Sequence, residues 1–142
     1  MRAGEVARRA GTTIRALRYY EQLGLVVPQR QANGYREYAT HDVRMIEEIR
    51  ALTALGVPVE GTRPFLECLA EGHAAGDDCP ASLESYRRTI DELDDLIARL
   101  SARREALAGQ LDAASGRSTC TAPPHAPPVD PTGHRADHQE PR

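Results

Sequence analysis

Two groups of residues in this 142-residue chain have types and spacings that could do chemistry. The first is Arg15, Arg18 and Tyr19, with Thr13 just ahead of them. On a helix, positions i, i+3 and i+4 share one face. An Arg there can pair with phosphate or bidentately with a guanine edge, and a Tyr can donate to phosphate. The second group is the three cysteines, Cys68, Cys79 and Cys120, with His73 and His125 close by in sequence. Thiols and imidazoles ligate soft metals, and a pair of thiols can be oxidised to a disulfide.

The charge pattern supports a polyanion partner for the first group. The net charge is −3, but residues 1–63 hold ten Arg against seven acids, and residues 64–142 hold eight Arg against fourteen. Net positive charge is therefore confined to the N-terminal half, where nucleic-acid binding belongs. One Phe, five Tyr and no Trp are too few to build the single large core that an enzyme usually needs. No Ser/His/Asp constellation, phosphate loop or paired-acid pocket is evident, so the chain does not read as an enzyme. There is no membrane-length apolar run and no signal-peptide pattern, which sets the expected location as cytoplasmic, with no membrane partner.

Several elements must position Arg15, Arg18 and Tyr19. Residues 5–10 read as a short helix broken by Gly11. Thr13 is a good N-cap for the next helix, and Gly24 ends it. Helix, Gly-containing turn and Arg-bearing helix together make a helix-turn-helix pattern. Tyr20 departs from the Arg15–Arg18–Tyr19 face and should pack inside. Val26, Val27 and Pro28 lead into an expected strand, Asn33-Gly34 signals a tight hairpin, and residues 35–38 return as a second strand. Tyr35 and Tyr38 bracket Arg36, a basic and aromatic wing suited to backbone contacts. Thr40 should cap a helix with Val43, Ile46, Ile49 and Leu52 facing the core, stopped by Gly56.

The expected organisation is mainly α. A winged helix-turn-helix with its small β-hairpin and core helix occupies residues 1–55. A linker helix and Gly-rich loop occupy 56–79, a long helix 80–111, and a disordered tail 112–142. The tail is rich in Pro, Ser, Thr and His and has almost no large apolar residues with which to offset its ordering entropy.

The long helix carries Leu83, Tyr86, Ile90, Leu93, Ile97, Leu100, Leu107 and Leu111 at steps of three and four, interrupted where Arg104 takes the expected position. This heptad pattern predicts a coiled coil between two copies, against the alternative of a helix packed on its own domain. Strand direction is not readable from it.

At the cysteines two readings stand side by side. Cys68 lies three residues after Phe65 and suits a buried, structural position. Cys79 directly precedes Pro80, which favours the first turn of a helix, so Cys79 falls at or near an N-cap. The helix terminus lowers a thiol pKa there, while Asp77 and Asp78 oppose that. The loop from Cys68 to Cys79 contains Gly72 and Gly76 and could bring the two sulfurs together on oxidation. His73 is placed to act as a base or a third ligand, or is simply an exposed loop histidine. No cofactor is obligatory.

The chain resembles the MerR family of winged-helix regulators. The resemblance rests on Gly4-Glu5-Val6-Ala7, on Ala10-Gly11-Thr12-Thr13 and on Arg15-Ala16-Leu17-Arg18-Tyr19-Tyr20-Glu21. It continues through Gly24-Leu25, Asn33-Gly34-Tyr35-Arg36-Glu37-Tyr38, Asp42-Val43 and Ile46. It implies a homodimer held by an antiparallel coiled coil. It also implies binding to a pseudo-palindrome in a promoter, which the activated dimer bends and underwinds so that RNA polymerase holoenzyme engages both promoter elements. Carried over by position, Thr13, Arg15, Arg18 and Tyr19 would touch DNA from the second helix, and Tyr35, Arg36 and Tyr38 from the wing. Metal-sensing members place a Cys just before the long helix, as Cys79 is placed, and two more in a loop after it. This chain offers only Cys120 there, with His125 nearby, so the resemblance implies at most a mixed Cys79–Cys120–His125 site for a soft metal. It lacks the four-Cys cluster of the iron–sulfur members, so no such cluster is expected. The rival readings are a member that senses a small organic ligand or no effector, and an architectural or excisionase-like DNA binder.

Overall fold

The computed structural model describes residues 1–117 and 119. Its elements are five helices, one 3₁₀ turn and a two-stranded antiparallel sheet. Cys120 and His125, and with them the Cys79–Cys120–His125 site, lie outside the described residues. Two compact units divide after Ser101.

In the first unit, α1 (Ala3–Arg9) has Glu5 in its first turn and Arg8 and Arg9 in its last, matching the helix dipole at both ends. Gly11 follows with φ 63°, a left-handed conformation that turns the chain into the second helix at little cost to glycine. Thr13 then caps α2 (Ile14–Gln22), its side-chain oxygen accepting from the Ala16 N–H at 3.1 Å. Leu17 and Tyr20 point inward and are buried, as expected for Tyr20.

The wing is shorter than expected. Its strands are β1 (Gln29–Arg30) and β2 (Arg36–Glu37), with Gln29 opposite Glu37 and Arg30 opposite Arg36. Val26 is not part of a strand but is buried in the core beneath. The turn at Asn33-Gly34 closes with Gly34 N–H on the Gln31 carbonyl at 2.9 Å, and the Asn33 side chain accepts from Tyr35 N–H at 3.1 Å. α3 (Thr40–Ala54) is capped one position earlier than expected. Ala39 holds the N-cap position, and buried Asp42 supplies the missing side-chain acceptor, bonding Ala39 N–H at 2.7 Å.

One core joins these elements through Val6, Leu17, Tyr20, Leu25, Val26, Tyr38, Ile46 and Ile49, closed by Leu66. Leu66 belongs to α4 (Arg63–Ala70), which follows the 3₁₀ turn Val59–Thr62. A smaller cluster of Leu52, Val57 and Phe65 receives Tyr86 from the long helix α5 (Pro80–Arg117).

The first turns of α5 dock on this head through small polar residues. Ser82, Ser85 and Thr89 are buried, Ser82 donating to the Gly76 carbonyl at 2.6 Å and Ser85 to the Gly61 carbonyl at 2.7 Å. In the second unit, the described residues from Ala102 continue α5 and are exposed. The helix runs through residues 112–117, which the composition assigned to the tail. Ala113 and Ala114 explain the difference: helix propensity needs no apolar face, so scarcity of large apolar residues does not end a helix. Among the described residues, no helix is long and apolar enough to cross a membrane.

Candidate nucleic-acid interface and cysteine cluster

Arg15, Arg18 and Tyr19 are all exposed on α2 and share a shallow depression with Thr13, Ala16 and Gln22. Capping by Thr13 sets where the helix starts and therefore which way this face points. Tyr19 donates its hydroxyl to a Glu60 carboxylate oxygen at 3.1 Å. That hydrogen bond, with the Glu60 charge, raises the phenol pKa. Glu60 thus engages the phenol proton within the chain.

The wing adds to this face unevenly. Tyr35 is exposed, and the Arg2 guanidinium lies over its ring at 4.3 Å from the centroid, a cation–π contact. Arg2, Arg18, Tyr35 and Arg36 line a common concavity with Gly34. Arg2 is absent from the sequence-derived set because it precedes the first helix and no spacing rule connects it to residue 35. Arg36 is half-buried, with its Nε donating to Glu21 at 2.7 Å, so its charge is partly committed inside the head.

Tyr38 corrects the expected wing contacts. Its side chain is 2% exposed, in the core, and its hydroxyl donates to the other Glu21 carboxylate oxygen. Burial, followed by that hydrogen bond and the Glu21 charge, pushes the phenol pKa far up. An extended chain sends residues an odd number apart to opposite faces, so Tyr35 outward places Tyr38 inward. Tyr38 locks the wing to α2 and does not face a ligand.

The long helix also requires one correction. Tyr86 was expected in the dimer seam. It turns instead against its own head, its ring edge-on to Phe65 with centroids 4.9 Å apart and its hydroxyl donating to Asp77 at 3.1 Å. The remaining seam residues Leu83, Ile90, Leu93, Ile97, Leu100, Leu107 and Leu111 are exposed in the single chain, as is Leu96, which the heptad count omitted.

At the junction of α4 and α5 the structure brings Cys68 and Cys79 together as a disulfide, with Cα atoms 6.0 Å apart. That separation lies within the ordinary range for such a bridge. Cys68 is 1% exposed and packs with Phe65, Leu66 and Leu69 on the buried face of α4. Cys79 is half-buried, and its carbonyl accepts from the N–H groups of Ser82 and Leu83, which makes it the N-terminal cap of α5. The His73 ligating nitrogen and the two sulfurs all lie within 4.8 Å of one another. His73 itself is exposed, with Nε2 3.6 Å from a Glu71 carboxylate oxygen.

The intervening loop is held from three sides. Arg44 donates to the Ala74 carbonyl at 2.5 Å, Asp78 accepts from Ala75 N–H at 3.0 Å, and Ser82 holds Gly76. Gly76 leaves no room for a side chain: a Cβ there would meet Phe65 at 3.1 Å and a Glu48 carboxylate oxygen at 2.6 Å. Burial, then the nearby Asp77 charge, raises the Glu48 pKa, with Arg44 opposing.

The head therefore defines a winged helix-turn-helix of the DNA-binding class. Residues 1–67 match the MerR HTH family of regulatory proteins. The HTH-type transcriptional regulator HmrR of Rhizobium leguminosarum bv. viciae is 32% identical over 116 residues, covering 82% of this chain and 88% of that protein. The chain belongs to the MerR family of transcriptional regulators. The heavy metal-dependent transcription regulator 2 of Rhizobium meliloti (strain 1021) is 32% identical over 70% of this chain and 67% of its own length. Among solved structures, the lead(II) complex of the transcription regulator PbrR691 from Ralstonia metallidurans CH34 has the same fold, with a TM-score of 0.67 at 22% identity. That match covers 87% of this chain and 91% of the other.

Proposed function

We propose that this regulator acts in the cytoplasm as a homodimer on promoter DNA and changes its output when Cys79 and Cys68 react. The observation that carries the reading is the Cys68–Cys79 bridge, which joins the last helix of the head to the cap of α5. A chemical change there acts at the point where the DNA-reading head meets the helix that pairs the two copies. Leu83, Ile90, Leu93, Ile97, Leu100, Leu107 and Leu111 form the pairing seam. Thr13, Arg15, Arg18, Tyr19, Tyr35 and Arg36 supply the DNA contacts. Two heads fixed by one coil bend and underwind the DNA between their half-sites, so that RNA polymerase holoenzyme engages both promoter elements.

The different burial of the two cysteines supports different roles. In a reducing cytoplasm a disulfide is normally transient and regulatory. Half-buried Cys79 is the thiol that an oxidant reaches, and buried Cys68 resolves the product. With a peroxide, the Cys79 thiolate attacks one peroxide oxygen, giving a sulfenic acid and releasing water after proton transfer. The Cys68 thiol then displaces the sulfenic oxygen as a second water, leaving the S–S bond. Electrophiles and soft metal ions are the other reagents for the same thiol. The test is promoter transcription in vitro with the protein reduced, oxidised, and reduced with a soft metal ion. Output that differs between these states and becomes constant in Cys79→Ser supports the proposal, whereas wild-type induction by Cys79→Ser in cells removes it.

A second reading, a small organic effector, is favoured by one cavity of about 460 Å³. Leu25, Val26, Met45, Leu66 and Leu69 contribute its apolar wall, and His41, Asp42 and Arg63 its polar groups. Its size and mixed lining suit a small amphiphile.

A further inference from the structure

We propose that Cys68, His73 and Cys79, when reduced, form a site within one chain for a single zinc-group divalent ion, and that metal and disulfide are alternative states of the same cluster. The inference rests on the reading of Cys68 and Cys79 as the sensing pair and adds a third residue, a ligand class and a stoichiometry.

The donors come from three segments that the fold holds together: α4 supplies Cys68, the loop His73, and the cap of α5 Cys79. Their ligating atoms lie within 4.8 Å of one another. A tetrahedral zinc-group ion has bonds of about 2.3 Å to sulfur and about 2.0–2.1 Å to nitrogen, so its ligand atoms sit roughly 3.5–3.8 Å apart. Once reduction frees the sulfurs to separate, small side-chain movements satisfy this geometry. Two thiolates and one neutral imidazole cancel the charge of a divalent ion, which suits a place where Cys68 is 1% exposed. The exposed His73 side leaves the fourth position open to water. A Glu71 carboxylate oxygen lies 3.6 Å from Nε2 of the same imidazole. The loop bonds from Arg44, Asp78 and Ser82 hold the donors near one another before any ion arrives.

The two states exclude each other chemically. A disulfide has no thiolate to offer a cation, and a bound ion withdraws electron density from both sulfurs, making them weaker nucleophiles toward an oxidant. Oxidation by a peroxide removes two electrons from the two sulfurs and releases the ion, while the bound ion slows that oxidation. Nothing beyond residue 79 is needed, so Cys120 and His125 are spectators.

The test uses the full chain, reduced and kept anaerobic, titrated with cobalt(II) and then zinc(II). The expected result is one cobalt per chain, with the visible bands of a tetrahedral ion and thiolate charge transfer, abolished by zinc and by prior oxidation. Cys120→Ser with His125→Ala should leave the spectrum unchanged. His73→Ala, an exposed change that leaves the core intact, should weaken cobalt affinity at least tenfold, and Cys68→Ser should remove the charge-transfer signal. Absence of a tetrahedral cobalt spectrum in the wild type overturns the proposal. So does loss of it in Cys120→Ser with His125→Ala, or retention of full affinity in His73→Ala. If cobalt fails to bind while promoter output still changes on oxidation, the metal site falls and the thiol reading stands. If cobalt binds as expected while output ignores both metal and oxidant, the sensing reading falls alone.

Discussion

Glu21, in the last turn of α2, receives a hydrogen bond from Tyr38 on one carboxylate oxygen and an ion pair from Arg36 on the other. One carboxylate thereby sets the position of the wing relative to the helix that carries Arg15, Arg18 and Tyr19. The Glu21 side chain is only 12% exposed, so a carboxylate oxygen left without its donor there regains little from water.

Tyr38→Phe should therefore cost about 1–2 kcal/mol of stability near neutral pH, read by denaturant unfolding. The phenol pKa is raised in the folded head. Its contribution is then fully present below the unfolded value of about 10 and is lost as pH rises through the higher folded value. The stability gap between wild type and Tyr38→Phe should be constant up to about pH 10 and shrink above it. A gap that widens with alkalinity would contradict the buried, protonated phenol.

Arg15→Ala and Arg18→Ala should weaken promoter binding while leaving the unfolding free energy within about 0.5 kcal/mol of wild type, since both side chains are exposed. For a phosphate contact, the loss is uniform across sequences and the slope of log K against log salt falls by about 1. For a guanine contact, the loss of about 1–3 kcal/mol is confined to one base pair. Salt-dependent titration on matched and mutated sites separates the two, and unchanged affinity in both variants would move the reading face elsewhere.

Leu93→Glu with Ile97→Glu should convert the protein to monomers in sedimentation analysis. Both side chains are exposed in the single chain, so the head should keep its unfolding transition. A dimer that survives both changes would place the interface off this seam.

Gly76→Ala should slow formation of the Cys68–Cys79 bridge several-fold, measured by thiol trapping after a peroxide pulse. The added Cβ would collide with the Phe65 backbone and the Glu48 carboxylate, pushing the loop outward. The Phe65 backbone contact cannot be relieved by a rotamer change. Equal trapping rates would show that the loop opens freely.

Much of the head was legible before folding. The Thr13 cap, the turn at Gly11, the inward Tyr20 and the Ile46–Ile49–Leu52 stripe follow from local rules that act over a few residues. Tyr38 was misread although its signal was present, because its odd separation from Tyr35 already put the two on opposite faces of an extended chain. Arg2 gave no signal, since its partner Tyr35 is brought near only by the fold.

Periodicity alone marked the long helix and its apolar seam, because a heptad pattern is a local property of the chain. It could not show that Tyr86 leaves that seam for Phe65, a residue of another helix, or that Ser82, Ser85 and Thr89 carry the docking face. Spacing likewise made contact between Cys68 and Cys79 feasible, but distance is a property of the folded chain. The closure of the loop by Arg44, Asp78 and Ser82 brought the sulfurs and His73 into one cluster. The amino-acid order by itself determined which helices form and where they are capped, since those energies are local. Only the tertiary structure decided which polar and thiol side chains meet, because those contacts join segments that the chain keeps apart.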